Sequence, residues 1–393
     1  MVSPLPGVDA DIAEFRHTLH ACAEPSGDER RTAGLVRTFL QQHPPDSVVE
    51  GLSGHGLAAV YKGRAKGPSV LLRAELDALP IAEQLDLPHA STSPGLAHKC
   101  GHDGHMAVLA AVARVLSRRR PDRGRAILLF QPAEETGAGA AQVLADPRWA
   151  ALAPDWAFAL HNLPGFALGQ VIVRRGAFAS ASRGFIVELE GSSSHAAEPE
   201  RGRSPALAMA QLIQSLSALP QDLTALHEGA KATVIHARLG DVAFGTTPGR
   251  ATVMATLRSH DDTLMTRLVA RCEQLARGTA ATYGLGVRTS WTEVFPATHN
   301  HDAAQALVLG AARELQLDVF EPAQPFAWSE DFGHITAAHR GCLFGLGAGV
   351  DHPALHSPGY DFPDALISTG AAMLERVVRQ ILNGDSHPTR ERS

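Results

Sequence analysis

The sequence predicts an α/β protein in which a mostly parallel mixed sheet is flanked by helices, with a ferredoxin-like α+β domain inserted into it. Three observations predict this. Short runs rich in Val, Leu and Ile recur at Ser69–Leu76, Ala126–Phe130, Trp156–His161 and Cys342–Leu346, the pattern of strands buried on both faces. Between the first two runs, Leu109, Val112, Ala113 and Leu116 fall at helical spacing within Met106–Leu116, and strand–helix–strand order favours parallel pairing. Between residues 182 and 290 the order becomes strand–helix–strand–strand–helix–strand, which suits a small sheet with helices on one face.

In chain order, Asp11 to Gln42 has helical periodicity through Phe15, Leu19, Leu35, Val36, Phe39 and Leu40, broken at Glu24-Pro-Ser-Gly-Asp28, so two helices are expected. Asp103 is placed to cap the helix that follows it. In the inserted segment the expected elements are strands at Phe185–Leu189, Thr233–Leu239 and Ala251–Leu257, helices at Ser204–Leu219 and Thr263–Thr282, and a final short strand. The expected division is residues 1–181 with 291–393 as one domain and 182–290 as the other. After Leu382 the chain (NGDSHPTRERS) reads as a polar, frayed end.

Composition narrows the function classes. At 393 residues, with 45% apolar and 19% charged residues, the chain is long enough for two cores and far from the disordered regime. A formal net charge of −6 disfavours a phosphate-backbone partner, which is held by Lys and Arg, so nucleic acid is not expected. Arg118-Arg119-Arg120 reads as the basic end of a helix meeting its dipole. Four scattered cysteines fit a reducing compartment. The start MVSPLPGVDADIAEF lacks a signal pattern, and no apolar run approaches the ~20 residues of a membrane span, so a cytoplasmic protein without a membrane partner is expected.

The chemistry-bearing residues cluster after the apolar runs, where parallel sheets gather ligands. His98-Lys-Cys100-Gly-His102-Asp103-Gly-His105 packs thiol and imidazole into a loop before a helix whose N-terminus favours the thiolate, a donor set suited to zinc and other transition ions. Gln131-Pro-Ala-Glu134-Glu135 closes a strand with two carboxylates, costly unless a cation uses them. Neighbouring side chains diverge, so one could ligate metal while the other takes a proton from water; a solvated loop end is the plainer alternative. His161 and His356 are each isolated, but share the placement after an apolar run. In Leu72-Arg-Ala-Glu75-Leu-Asp77, strand alternation puts Glu75 and Asp77 on one face, either to orient a ligand or base, or to form a surface salt bridge with Arg73.

The motifs LRAELDALPI, HKCGHDGH, QPAEE, HNLPG, SSHAAEP, TLRS, SEDF and LHSPGYDF, in this order from about Glu14 to Leu382, resemble the amidohydrolase branch of the dinuclear-metal peptidase family that includes hippurate hydrolases, auxin-conjugate hydrolases and bacterial aminoacylases. The resemblance implies that Cys100, His102, Glu135, His161 and His356 hold two divalent metals, zinc or manganese, with Glu134 as the general base. It also implies that the inserted domain is a lid through which the chain forms a homodimer. His195 would then stabilise the oxyanion and contact substrate, and Arg258 would hold a substrate carboxylate. Bottom-up, both would be read as surface residues. Two departures stand out: Glu75 replaces the usual aspartate, and Gly245 lies about where relatives carry asparagine, within GDVAFGTTPG.

The expected activity is hydrolysis of the amide bond of N-acyl amino acids or related small conjugates. Dipeptidase or carboxypeptidase action is the neighbouring alternative. A non-catalytic metal- or metabolite-binding protein with a structural zinc is the rival of another class.

Overall fold

The computed structural model describes residues 10–225 and 228–383. The N-terminal start and the expected frayed end beyond Asn383 lie outside these. Two helices open the described chain, α1 (Ala10–Ala21) and α2 (Arg30–Gln42), separated where Glu24-Pro-Ser-Gly-Asp28 breaks the periodicity. Strands β1 (Ser47–Leu52), β2 (Gly56–Lys62) and β3 (Ala65–Glu75) follow, then α3 (His102–Arg118), β4 (Arg123–Gln131), α4 (Gly139–Ala145), α5 (Trp149–Leu152) and β5 (Trp156–Pro164). Short strands β6 (Val171–Ile172) and β7 (Gly176–Ala179) lead to β8 (Ala181–Glu190), α6 (Ala206–Leu223), β9 (Ala230–Leu239), β10 (Arg250–Ser259), α7 (Asp262–Thr282) and β11 (Gly286–Phe295). The chain closes with β12 (Thr298–Asn300), α8 (Asp302–Glu314), β13 (Val319–Phe320), α9 (Gly333–Ala338), β14 (Arg340–Gly349) and α10 (Ala365–Leu382).

The chain forms two compact units: one comprises the residues up to Phe178, Thr298–Gln324 and the chain from Asp331 onward, the other Ala179–Ala297 with Pro325–Glu330. In the first unit an eight-stranded sheet has the order β1-β2-β4-β3-β5-β14-β6-β13. Its centre, β4-β3-β5-β14, is parallel, while β2 joins β4 and β6 joins β14 antiparallel. The centre is the set of four apolar runs, and Val70, Leu72, Leu128, Phe158 and Phe344 lie in one core with Leu109, Val112, Leu374 and Val378 from α3 and α10. Helix α3 is buried on almost every face, which is why its apolar pattern is nearly continuous.

In the second unit β11-β8-β10-β9 form an antiparallel sheet, with α6 and α7 as the crossovers. Along β10, Val253, Ala255 and Leu257 enter a core with Leu212, Leu216, Leu268 and Cys272 of the helices. Met254, Thr256 and Arg258 therefore emerge on the opposite face.

Asp103 differs from its expected capping role. Helix α3 begins two residues earlier than that cap would place it, Gly101 is its cap in a left-handed conformation (φ 93°), and the Asp103 side chain instead lies inside. There it accepts from Arg16 Nε at 3.1 Å and from His20 Nδ1 at 2.9 Å. A charged guanidinium attracts the carboxylate more strongly than neutral helix amides do, and Arg16 and His20 hold the Asp103 pKa far below the carboxylate range against the effect of burial.

Candidate metal centre

The carboxyl ends of the parallel strands deliver the site. Asp77 follows β3, the Cys100 loop precedes α3, Glu134 and Glu135 follow β4, and the His356 loop follows β14. His161 differs slightly from expectation: β5 runs on to Pro164, so this histidine lies within the strand, opposite Gly345 of β14.

Two histidines are prepared in the same way. His102 Nδ1 donates to the Asp77 carbonyl at 2.9 Å, and His161 Nδ1 donates to the Asn162 carbonyl at 2.9 Å. Each bond fixes the tautomer and leaves Nε2 as the lone-pair donor. His161 Nε2 lies 3.4 Å from Cys100 Sγ, and His102 Nε2 is buried without a hydrogen-bond partner. His356 sits in a left-handed turn (φ 62°), its backbone N–H donating to Lys99 O at 2.8 Å, and its Nε2 lies 3.8 Å from Glu135 Oε2.

Glu134 and Glu135 do not diverge as strand neighbours would. Glu134 Oε2 and Glu135 Oε1 each lie 3.9 Å from His102 Nε2. The reason is Ala133, whose φ of 54° coils the backbone after β4 and ends the alternation of side chains. Asp77 fixes this turn by accepting from Glu135 N at 2.9 Å and from Ser26 Oγ at 2.6 Å.

The donor atoms gather into overlapping sets, Cys100–His102–His161, Cys100–Glu135–His356 and His102–Glu134–Glu135, with all atoms of each set within 4.8 Å of one another. The residues fit two neighbouring cations sharing ligands. The orphaned Nε2 of His102 needs an electrophile, and the local field is negative: although burial disfavours its charged form, Asp77, Glu75 and Glu135 raise His102 to about 10. Burial instead lowers His161 to about 3, leaving the neutral imidazole a metal requires.

Glu75 is buried and ion-pairs with Arg73, so the expected surface salt bridge is an interior one. Its other oxygen accepts from His105 Nδ1 at 2.7 Å, and His105 Nε2 lies 2.5 Å from Asn162 Oδ1. Asn162 and Asp331 are buried participants that sequence reasoning left without a role. Asp331 pairs with Arg73 and accepts from Gln131 Nε2 at 2.8 Å, while its backbone N–H donates to Glu134 Oε1 at 3.3 Å. Their signal was present in HNLPG and SEDF, but an amide and an acid in a loop carry no local mark of burial.

His195 and Arg258 lie in the second unit. His195 is exposed, and its Nδ1 accepts from Ala197 N at 3.1 Å. Arg258 is half-buried, donating through Nη1 to Ala327 O at 2.9 Å and Ser329 Oγ at 3.0 Å.

Residues 71–380 match the model of peptidase family M20/M25/M40. The chain is 30% identical over 383 residues to an N-acetyl-L-cysteine deacetylase of Bacillus subtilis, covering 96% of this chain and 90% of that protein. It is 27% identical to a hippurate hydrolase of Campylobacter jejuni, covering 95% and 97% of the two chains. Among solved structures, a Bacillus subtilis dinuclear metal-binding peptidase of the M20 family is similar at a TM-score of 0.79 and 25% identity, covering 95% of this chain and 98% of that one. A putative aminohydrolase of methicillin-resistant Staphylococcus aureus shares the fold at a TM-score of 0.86 and 23% identity, covering 94% and 96% of the two chains. With a family match across most of its length and a relative at this identity spanning almost all of it, the chain belongs to peptidase family M20/M25/M40.

Proposed function

We propose that this protein hydrolyses the amide bond of N-acyl amino acids or related small conjugates. Cys100, His102, Glu135, His161 and His356 hold two divalent ions, zinc or manganese, and Glu134 is the general base. The observation that carries the reading is the convergence of five donors on overlapping sets with a further carboxylate, Glu134, beside them. A purely structural site has no use for that spare acid. Thiolate favours the softer ion and the carboxylates tolerate the harder one.

When bound, the ions supply Lewis-acid polarisation of the carbonyl and make water more acidic. Glu134 takes a proton from the water as its oxygen attacks the carbonyl carbon, and returns it to the amine nitrogen as the C–N bond breaks. The Asp331 N–H at Glu134 Oε1 leaves Oε2 as the oxygen directed toward His102 and the reacting groups. In the second unit, residues 182–290 act as a lid in this reading. His195 there donates to the developing oxyanion through Nε2, since its Nδ1 is engaged by Ala197. Arg258 holds the substrate carboxylate with nitrogens other than the Nη1 that anchors it.

The similarity to proteins named N-acetyl-L-cysteine deacetylase and hippurate hydrolase supports an N-acyl amino acid as substrate. We further propose a homodimer through the lid, supported by β9, an edge strand of its sheet whose Ile235 is 63% exposed. A panel of hippurate, N-acetyl amino acids and dipeptides, run with metal-reconstituted protein, tests the substrate class. N-acyl amino acids are expected to give the highest kcat/KM; a preference for free dipeptides would overturn it.

A further inference from the structure

Glu29 is a fully buried carboxylate that the mechanism above does not use. It stands at the N-terminal cap position of α2 but makes no capping bond. That work is done by Glu24, whose carboxylate accepts from Arg31 N at 3.2 Å and from Thr32 N at 2.8 Å. Glu29 instead accepts from Gly27 N at 2.8 Å and, across 104 positions of sequence, from Ala133 N at 2.8 Å.

Ala133 is the residue whose left-handed backbone turns Glu134 and Glu135 toward one point. A residue with a Cβ is strained in that region, so the conformation needs outside support. On the carbonyl side, Ala133 O accepts from Gly139 N at 3.0 Å; on the amide side the support is Glu29. The remaining oxygen, Glu29 Oε2, is buried with no hydrogen-bond partner, so the side chain is present at a desolvation cost that α2 does not require.

We infer that Glu29 is a positioning residue for the reaction: by holding Ala133 N–H it locks the left-handed turn that aims the general base Glu134 and the ligand Glu135. The inference rests on the roles assigned to those two glutamates under the proposed function. The single bond that matters can be removed, mimicked or made unnecessary. Glu29→Ala removes it, Glu29→Gln keeps an acceptor oxygen of the same reach, and Ala133→Gly lets the turn form without strain.

The test measures kcat and KM on N-acyl amino acids with metal-loaded protein, and hydrogen exchange of the peptide spanning residues 132–139. Glu29→Ala is expected to lower kcat about 10- to 100-fold, the usual scale for groups that orient metal ligands, with KM within about twofold, and to speed exchange in that peptide. Glu29→Gln is expected to keep kcat within about threefold of the parent. Adding Ala133→Gly to Glu29→Ala is expected to restore at least about tenfold in kcat, which a general loss of folding would not allow. Unchanged exchange and kcat in Glu29→Ala, or no recovery on adding Ala133→Gly, would overturn the inference. If the parent protein hydrolyses no amide, the proposed function fails, while the exchange experiment still reports whether Glu29 holds the turn.

Discussion

The site is built from residues whose chemistry depends on what holds them. His102 and His161 can offer Nε2 to a metal because backbone carbonyls take their Nδ1 protons. Asp77 contributes twice, its carbonyl to His102 and its carboxylate to the Glu135 amide, and burial alone would have raised its pKa had His102 and Ser26 not kept it low. Asp77→Ala is therefore expected to weaken metal affinity about 10- to 100-fold, measured by chelator competition. His98 gives a prediction in pH. It is fully buried with neither ring nitrogen hydrogen-bonded, and burial lowers it to about 3. The unfolded chain takes up the proton near pH 6.5, so the folded state loses stability as pH falls below that value toward the folded pKa. His98→Leu should make the drop in unfolding free energy between pH 6 and 4.5 smaller by about 1–2 kcal/mol, read from urea midpoints of the metal-free protein. Cys100, His102 and the Glu134–Glu135 pair were legible in the sequence because their local spacing is already that of a cation site. Glu29, Asn162 and Asp331 were not, because a lone acid or amide acquires its meaning only from partners far along the chain.

At the level of elements, the parallel centre of the sheet was readable since buried strands write continuous apolar runs. The edge strands β1 and β13 and the two-residue β6 beside β13 are short or exposed and leave no such trace. Helix α3 begins directly after the Cys100 loop, and the glycines at its start record close approach. A Cβ on Gly104 would stand 2.2 Å from the Phe362 ring, and one on Gly101 would stand 2.5 Å from Asn162 Oδ1. Gly104→Ala should destabilise the fold by about 1–3 kcal/mol in urea unfolding, because a buried aromatic ring must be displaced. Asp103 does not cap α3, because its carboxylate serves Arg16 and His20 in the interior.

At the scale of the molecule, the order of elements announced the inserted unit, whose core is closed by α6 and α7 on one face of its sheet. Among the described residues no helix is long and apolar enough to cross a membrane. The exposed edge of β9 leads to an expectation about assembly: sedimentation should give twice the 41.6 kDa chain mass, and Ile235→Lys should shift the protein toward monomer. A monomeric parent would remove the dimer from the account. The central claim, amide hydrolysis with Glu134 as base in a centre that holds two ions, is tested most directly by comparing the parent with Glu134→Gln after metal reconstitution, measuring bound metal and turnover on the same samples. The account expects about two metal equivalents in both and a loss of turnover of at least about 100-fold in the variant. Turnover within a few-fold of the parent at equal metal content would contradict it.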